Sequence, residues 1–267
     1  MKVSIVMPVF NNLELTKLCV DSIEKNTAAA DYEFVVVDNC STDGTRGYIE
    51  SKGFKYIRNS ENLGVAKAWN IGVKASTGEY VCIINNDILA GAGWLAALVD
   101  FYEKQPGSGI VSPGTRWGRL DYDFEPYAVS YMKKMNGVKA EGFADWCMLI
   151  KRDRFEKAGY FCEDYKIGTN EDTDFHNALK KAGFTSYVTG ASFIHHFGSK
   201  TLKVMRKKVA GFEQENNKIY FAKWGIKPDT YLQRKKKSFI KFLNNSFLKI
   251  TRGHTLNEKR HRTAMED

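Results

Sequence analysis

The residues best suited to chemistry in this sequence are Asn85-Asn86-Asp87, which directly follow the apolar, β-prone residues 79–84. A buried strand that carries an acid to its carboxyl end can build a site for a divalent cation and the phosphates that the cation binds. Asp87 is therefore a candidate metal ligand. The alternative is a simple turn, because asparagine and aspartate favour turns through local hydrogen bonds.

A second group of candidates is the acidic cluster at residues 169–174. A carboxylate of this cluster could act as a general base, taking the proton from a hydroxyl group as its oxygen attacks. The alternative is structural: Thr169 or Asn170 caps a helix, and the acids of the first turn complement the helix dipole.

The elements that must position these residues alternate between strands and helices along the N-terminal half. The sequence predicts strands at residues 2–7, 34–37, 54–58 and 79–84, and helices at 13–25, 45–51, 65–75 and 94–103. This alternation implies a parallel sheet with right-handed crossovers, whose ligands bind at the carboxyl ends of the strands. The polar turns 8–11, 38–41, 59–64 and 85–87 should therefore share one crevice.

The ligand of this crevice is held without a glycine-rich phosphate loop. A dinucleotide site needs Gly-x-Gly-x-x-Gly after the first strand, where this chain has Pro8-Val9-Phe10-Asn11-Asn12, and the P-loop pattern is absent. A diphosphate must then be held through a divalent cation, for which Asp87 is the natural oxygen ligand. Asp38 could accept a hydrogen bond from a nucleobase imide.

Together these segments resemble family 2 glycosyltransferases of the GT-A fold, most closely the bacterial rhamnosyltransferase-like group. The resemblance covers residues 2–201 and rests on the order and spacing of seven stretches, at residues 3–11, 36–45, 62–72, 84–87, 148–152, 171–175 and 195–198. It implies an α/β fold, with a Rossmann-like, mostly parallel sheet flanked by helices. It also implies an inverting enzyme that moves a sugar from a nucleoside-diphosphate sugar to a hydroxyl acceptor in bacterial surface glycan biosynthesis.

The resemblance assigns the donor, a UDP- or dTDP-linked sugar, to residues 1–104. The donor-binding residues that it implies are Pro8, Val9, Asp38, Asn62, Lys67, Asn85, Asn86 and Asp87. Asn85 stands where the strict Asp-x-Asp motif has its first acid, so binding of the metal alone should be weaker. The phosphates of the donor would supply the missing ligands.

The resemblance assigns catalysis to residues 105–201. In the Glu-Asp motif of the family the second acid is the usual base, which makes Asp172 the expected base and Glu171 the alternative. The family often has a histidine followed five residues later by serine or threonine, as His196 is by Thr201.

His196 is therefore expected, in preference to His195, to bind the metal together with Asp87. This mixed oxygen and nitrogen set suits Mn²⁺ or Mg²⁺. Trp146 and Asp145 are candidates for contacts to the acceptor, although Trp146 could equally be a core residue. Residues 122–135, aromatic and charged without clean periodicity, are predicted to form a mobile loop or insertion.

Positive charge is concentrated in the C-terminal part of the chain. The formal net charge is +9, and residues 200–267 carry 18 Lys and Arg against 6 Asp and Glu, a net charge of +12. Residues 202–251 are predicted to form a basic amphipathic helical extension, which suits an anionic membrane surface or a helix docked on the catalytic domain or a partner. No nucleic-acid motif accompanies the charge, so no nucleic acid partner is expected. Residues 252–267 are predicted to be a polar, mobile tail.

The cellular location follows from what the sequence lacks. Its five cysteines show no Cys-x-x-Cys spacing, no signal peptide precedes the first strand, and no apolar run approaches the length of a membrane span. The expectation is a cytoplasmic protein, or one that is peripheral on the inner face of the membrane, with a glycan or lipid-linked glycan acceptor.

Three other functions fit this sequence less well. A nucleotidyltransferase would need a basic, glycine-rich loop after the first strand, which this sequence lacks. A processive polysaccharide synthase would carry transmembrane helices and a Gln-x-x-Arg-Trp motif, and the sequence shows neither. A non-catalytic nucleotide-sugar-binding module would have no need to keep both Asp87 and Asp172.

Overall fold

The computed structural model describes residues 2–27, 31–198, 209, 211–227 and 230–259. The strands are β1 (Val3–Val9), β2 (Tyr32–Asp38), β3 (Lys55–Arg58), β4 (Tyr80–Ile84), β5 (Ile88–Ala90), β6 (Ser108–Trp117), β7 (Lys139–Glu141), β8 (Cys147–Lys151), β9 (Thr185–His196) and β10 (Asn257–Lys259). The helices are α1 (Leu13–Thr27), α2 (Thr45–Ser51), α3 (Val65–Ala75), α4 (Trp94–Lys104), α5 (Phe124–Met135), α6 (Asp153–Ala158), α7 (Glu171–Lys181), α8 (Phe212–Trp224) and α9 (Tyr231–Arg252).

The strands form one sheet in the order β3-β2-β1-β4-β8-β6-β9-β5, with β10 also paired to β6 and β7 to β9. β1 lies parallel to β2 and β4, and β2 lies parallel to β3. β8 is antiparallel to both β4 and β6, so strand direction changes at the boundary between the two halves of the sheet. The predicted α/β fold with helices flanking a mostly parallel sheet is confirmed, and the carboxyl ends of β1, β2 and β4 meet at one edge.

Side chains along each buried strand point alternately to the two faces of the sheet. Both faces therefore carry apolar residues, and helices cover each of them. On β1, Ile5 and Met7 belong to the apolar cluster under α1 and α4, whereas Val6 belongs to the cluster under α3 and α7. Helix α3 approaches β1 closely at Gly72, where a β-carbon would lie 2.3 Å from Cγ1 of Val6. This close packing brings the N-terminus of α3 to the carboxyl edge of the sheet.

Two segments that were predicted to be mobile form regular structure. Residues 122–135 contain α5, whose Ala128 and Tyr131 are fully buried. The prediction of a mobile tail is wrong for residues 254–259, because β10 pairs in parallel with β6 and Leu256 is only 6% exposed. Backbone pairing needs no apolar pattern, and that is why the polar composition of this segment was misleading. Residues 260–267 lie outside the described residues.

The predicted helical extension contains α8 and α9, while the predicted boundary at residue 201 lies outside the described residues. Asp174 of α7 fixes α8 to the sheet domain, since its carboxylate accepts hydrogen bonds from Lys223 Nζ at 2.8 Å and Trp224 Nε1 at 2.7 Å. Within the part of the chain that the structure describes, no helix is long and apolar enough to span a bilayer.

Candidate active site

A cleft opens at the carboxyl edge of β1, β2 and β4, and all four predicted polar turns contribute to it. The residues predicted from sequence that line it are Pro8, Val9, Asn62, Asn85, Asn86, Asp87, Asp145, Glu171 and Asp172. Thr169, at the start of the acidic cluster, also lines the cleft, whereas sequence reasoning did not single out Val65 and Trp69 of α3 or the loop residues 167–168, which line it as well. An aromatic residue in an apolar helical stripe gives no signal that separates a cleft wall from the core.

The turns at the floor of the cleft are held by side chains rather than by regular structure. Asn11 adopts a left-handed backbone with φ 56°, a conformation that asparagine tolerates better than most residues. Its Oδ1 accepts a hydrogen bond from the Thr42 N–H at 2.7 Å, and its own N–H donates to Ser41 Oγ at 2.8 Å. Asn86 is held through its Nδ2, which donates to Thr16 Oγ1 at 2.9 Å. The turns after β1 and β2 are therefore tied to each other, and the turn after β4 is tied to α1.

Asp87 and His196 lie side by side because β5, which starts directly after Asp87, pairs with the end of β9. His196 Nε2 is 3.1 Å from Asp87 Oδ1, yet the contact is not aligned as a hydrogen bond. Among the residues that the structure describes, neither ring nitrogen of this buried histidine has a hydrogen-bond partner. Buried polar atoms nearly always have a hydrogen-bond partner, so a buried histidine with neither nitrogen bonded is unusual. A cation bound between His196 and Asp87 would supply the missing contact to the imidazole. Trp146 stacks on the His196 ring with the ring centroids 4.8 Å apart.

This pair fits a divalent cation by type, since carboxylate oxygen and imidazole nitrogen suit Mn²⁺ and, less strictly, Mg²⁺. Within the described residues no group of three or more His, Cys, Asp or Glu is placed to hold a metal. A cation here would thus need further ligands from the substrate.

Three further carboxyl groups, those of Asp145, Glu171 and Asp172, line the same cleft. Burial, and then the neighbouring Asp172, raises the pKa of Asp145 to about 6. Burial also raises the pKa of Glu171 and of Asp172, and the charge of Asp172 raises that of Glu171 further. Carboxylates crowded in this way create a negative field that attracts a cation and strengthens each group as a base.

The loop at residues 167–170, directly before Glu171 and Asp172 of α7, has an unusual backbone. Ile167, Thr169 and Asn170 have φ values of 62°, 126° and 74°. Non-glycine residues in such conformations cost about 1–3 kcal/mol each and persist only where neighbouring contacts impose them. Asn170 occupies the N-cap position of α7, as the capping alternative predicted, but its side chain makes no capping hydrogen bond.

Asn216 of α8 supplies the contacts that impose this loop conformation. Its fully buried side chain accepts a hydrogen bond from the Lys166 N–H at 3.0 Å and donates to Lys166 O at 3.0 Å and Thr169 Oγ1 at 3.1 Å. From the other side, the Val65 N–H donates to Ile167 O at 2.9 Å. Sequence reasoning missed Asn216, since nothing in a polar helix some 40 residues beyond the acids marks one asparagine for this role.

Two predicted donor-binding residues, Asp38 and Lys67, do not line the cleft. The carboxylate of Asp38 is fully buried, accepts hydrogen bonds from Tyr56 Oη and the Ser41 N–H, each at 2.7 Å, and forms an ion pair with Arg58. A contact from Asp38 to a nucleobase therefore stays a prediction that requires this network to rearrange. Trp146, the acceptor candidate, also lies outside the lining, and its Nε1 donates to Thr115 Oγ1 at 2.9 Å.

The fold is that of the GT-A glycosyltransferases. It is similar to the solved mannosyltransferase PcManGT from Pyrobaculum calidifontis in complex with GDP-Man and Mn²⁺, with a TM-score of 0.61 and 21% identity, over 85% of this chain and 65% of that one. A sequence model described as Glycosyl transferase family 2 matches residues 4–167. The chain belongs to this family, and the resemblance inferred from the motifs is confirmed.

Two curated relatives give the range of similarity. The chain is 25% identical to the uncharacterized glycosyltransferase YfnE of Bacillus subtilis, over 68% of this chain and 46% of the relative. It is 26% identical to the N-acetylglucosaminyl-diphospho-decaprenol L-rhamnosyltransferase of Mycobacterium tuberculosis, over 61% of this chain and 66% of the relative. The matched part thus spans less than half the length of the first relative.

Proposed function

We propose that this protein is an inverting, metal-dependent glycosyltransferase that moves a sugar from a nucleoside-diphosphate sugar to a hydroxyl group of a glycan or lipid-linked glycan, in assembly of a bacterial surface glycan. The observation that carries the proposal is the convergence, in one cleft, of Asp87 beside His196 with the acids Glu171 and Asp172. Membership of glycosyl transferase family 2 supports the reaction class. The lipid-linked N-acetylglucosamine in the name of the mycobacterial relative supports a lipid-linked glycan as the acceptor.

On the donor side, Asp87 and His196 would hold Mn²⁺ or Mg²⁺, with oxygens of a UDP- or dTDP-linked diphosphate as the remaining ligands. A divalent cation held at this place would neutralise charge on the leaving diphosphate. Pro8, Val9 and Asn62 line the part of the cleft nearest β1 and α3, where the nucleoside would lie. The complex of the similar mannosyltransferase with GDP-Man and Mn²⁺ supports both ligand types.

On the acceptor side, Asp172 takes the proton of the acceptor hydroxyl while the hydroxyl oxygen attacks the anomeric carbon opposite the diphosphate, which inverts the configuration. Its raised pKa makes it a stronger base than an exposed aspartate. Glu171, the alternative base, accepts a hydrogen bond from the Thr169 N–H at 2.6 Å and so also holds the loop. Asp145, which lines the cleft, would contact the acceptor, and Trp146, which lies outside the lining, is the second candidate for such a contact.

Donor hydrolysis and two substitutions test the proposal. In the presence of Mn²⁺ and a panel of nucleotide sugars, we expect slow release of nucleoside diphosphate. Asp172→Asn should abolish turnover with donor affinity nearly intact, whereas Asp87→Ala should lose metal-dependent donor binding in calorimetry. Asp100→Asn, at an exposed position on α4, is the matched control.

If no nucleotide sugar of the panel released nucleoside diphosphate and none bound, the enzyme proposal would be contradicted. Equal loss of donor binding in Asp172→Asn and Asp87→Ala would overturn the assignment of Asp172 as the base.

A further inference from the structure

Helix α9 carries a stripe of apolar side chains in solvent. The exposed fractions are 61% for Phe239, 48% for Ile240, 49% for Leu243, 67% for Phe247 and 85% for Ile250. At about 100° per residue, these five positions fall within an arc of about 100° on one side of the helix. Exposure of large apolar side chains in one contiguous stripe marks an interaction surface rather than chance.

The rest of α9 is strongly basic. The helix contains seven Lys and Arg residues and no Asp or Glu, and by helical periodicity six of the seven basic positions lie outside the apolar arc; the set is Arg234, Lys235, Lys236, Lys237, Lys241, Lys249 and Arg252. An apolar stripe bordered by cations, without a single acid, is the pattern of helices that lie in the interface of a bilayer with anionic headgroups.

Both ends of α9 are capped by residues of the chain itself. A capping box closes its start, where the Gln233 N–H donates to Thr230 Oγ1 at 3.3 Å and the Thr230 N–H donates to Gln233 Oε1 at 2.8 Å. Its end is closed by Gly253 in a left-handed conformation with φ 75°. The 22 residues form a rod of about 33 Å. Arg252 fixes its end to α5 by a hydrogen bond of 3.2 Å to Lys134 O.

We infer that α9 lies flat on the surface of a bilayer that contains anionic lipids, with its apolar stripe at the acyl boundary and its lysines among the headgroups. A second copy of the chain suits this face poorly. Two copies of α9 packed face to face would bring like charges together, and neither helix contains an acid to offset them. The inference goes beyond the proposed function and does not rest on it, since no residue of the cleft takes part.

Vesicle flotation of the full chain tests this inference. We expect the protein to float with vesicles of equal parts phosphatidylcholine and phosphatidylglycerol but not with phosphatidylcholine alone, and to be released near 1 M salt, where screening shortens to about 3 Å. The double variant Phe247→Ser/Ile250→Ser should lower the partition coefficient at least tenfold. Leu18→Ser, at a position 48% exposed on α1, is the matched control and should bind as the wild type does.

Circular dichroism and donor binding without vesicles will show that the double variant is folded, as the exposure of both positions leads us to expect. Equal flotation with both vesicle types, no flotation with either, or unchanged flotation of the double variant would overturn the inference. A dimer in sedimentation equilibrium that the double variant dissociates, without vesicle binding, would assign the stripe to a second copy and overturn it as well.

Discussion

At the residue scale, the cleft is lined by acids whose pKa values are raised by burial. Asp145 is one example, because burial and the charge of Asp172 raise its pKa to about 6. A bound divalent cation would relieve this repulsion, so the same feature that weakens the ligand-free protein favours binding of the metal and donor.

A pH-dependent stability follows from Asp145. Its folded pKa lies above the value near 4 of an unfolded chain, so its favourable contribution is complete below about pH 4 and is lost as pH rises through about 6. Asp145→Asn should therefore raise the free energy of unfolding relative to wild type as pH increases, by about 1–2 kcal/mol at pH 8 after discounting for partial exposure.

Denaturant unfolding at pH 4, 6 and 8 without metal measures this difference. Asp100→Asn, an exposed acid, should show no such trend. A difference between Asp145→Asn and wild type that stays constant across these pH values would contradict the assigned pKa.

Sequence motifs could indicate Asp87, His196 and Asp172 because each stands at the end or start of an element with a recognisable pattern. They could not indicate whether Asp38 faces the cleft. That depends on Tyr56 and Arg58, whose side chains reach its carboxylate from β3, and a side-chain network of this kind leaves no local pattern.

At the element scale, the active-site loop and α8 form one unit. Three residues of the loop adopt left-handed backbone conformations, and Asn216 bonds to Lys166 and Thr169 on either side of Ile167. Helix α8 is in turn fixed to α7 through Asp174. We expect the position of Asp172 to depend on this helix, and both lie beyond residues 4–167, where the family model matches.

Asn216→Ala tests this dependence. Loss of buried hydrogen bonds should lower the free energy of unfolding by about 1–3 kcal/mol. A loop displaced by about 1 Å should reduce turnover tenfold or more, with a small change in KM for the donor. Gln214→Ala, at an exposed position on the same helix, is the control.

Steady-state kinetics of donor hydrolysis separate the two effects. Wild-type turnover in Asn216→Ala, or an equal loss in Gln214→Ala, would show that the loop does not need this contact.

The sequence predicted most elements of the donor half well, including α2 and α3 with their observed ends, because apolar periodicity and flanking turns coincide there. It failed for α5 and β10. The apolar residues of α5 are aromatic and mixed with charges, and β10 is held by pairing with β6, a long-range contact that single-sequence periodicity does not contain.

At the scale of the whole molecule, the segment from His254 to Lys259 completes the apolar cluster between α5 and β9. Leu256 belongs to the cluster that includes Phe124, Tyr131 and Phe193, and Tyr131 donates a hydrogen bond to Thr255 O at 2.9 Å. The C-terminal extension is thus held to the sheet domain at both ends, by α8 before α9 and by β10 after it.

Leu256→Ala should lower the free energy of unfolding by about 2–3 kcal/mol, since a buried leucine is replaced by a cavity that the surrounding aromatic residues fill only in part. Donor affinity should be retained below the unfolding midpoint, because the donor side of the cleft lies in the other half of the sheet. The denaturant midpoint measures the change, and Ile250→Ala, at an 85% exposed position, is the control. An unchanged midpoint in Leu256→Ala would show that the segment adds nothing to the core.

The pairing of β10 with β6 also has a consequence for the order of folding. Asn257 pairs with Thr115, so this contact closes a loop of roughly 140 residues, and such closures carry an entropic cost that local contacts do not. The strands β1 to β4 all lie within residues 3–84 and can pair early. During refolding, the part of the cleft formed by β1, β2 and β4, where we propose that the nucleotide binds, should therefore form before the part of the sheet that contains β6 and β10.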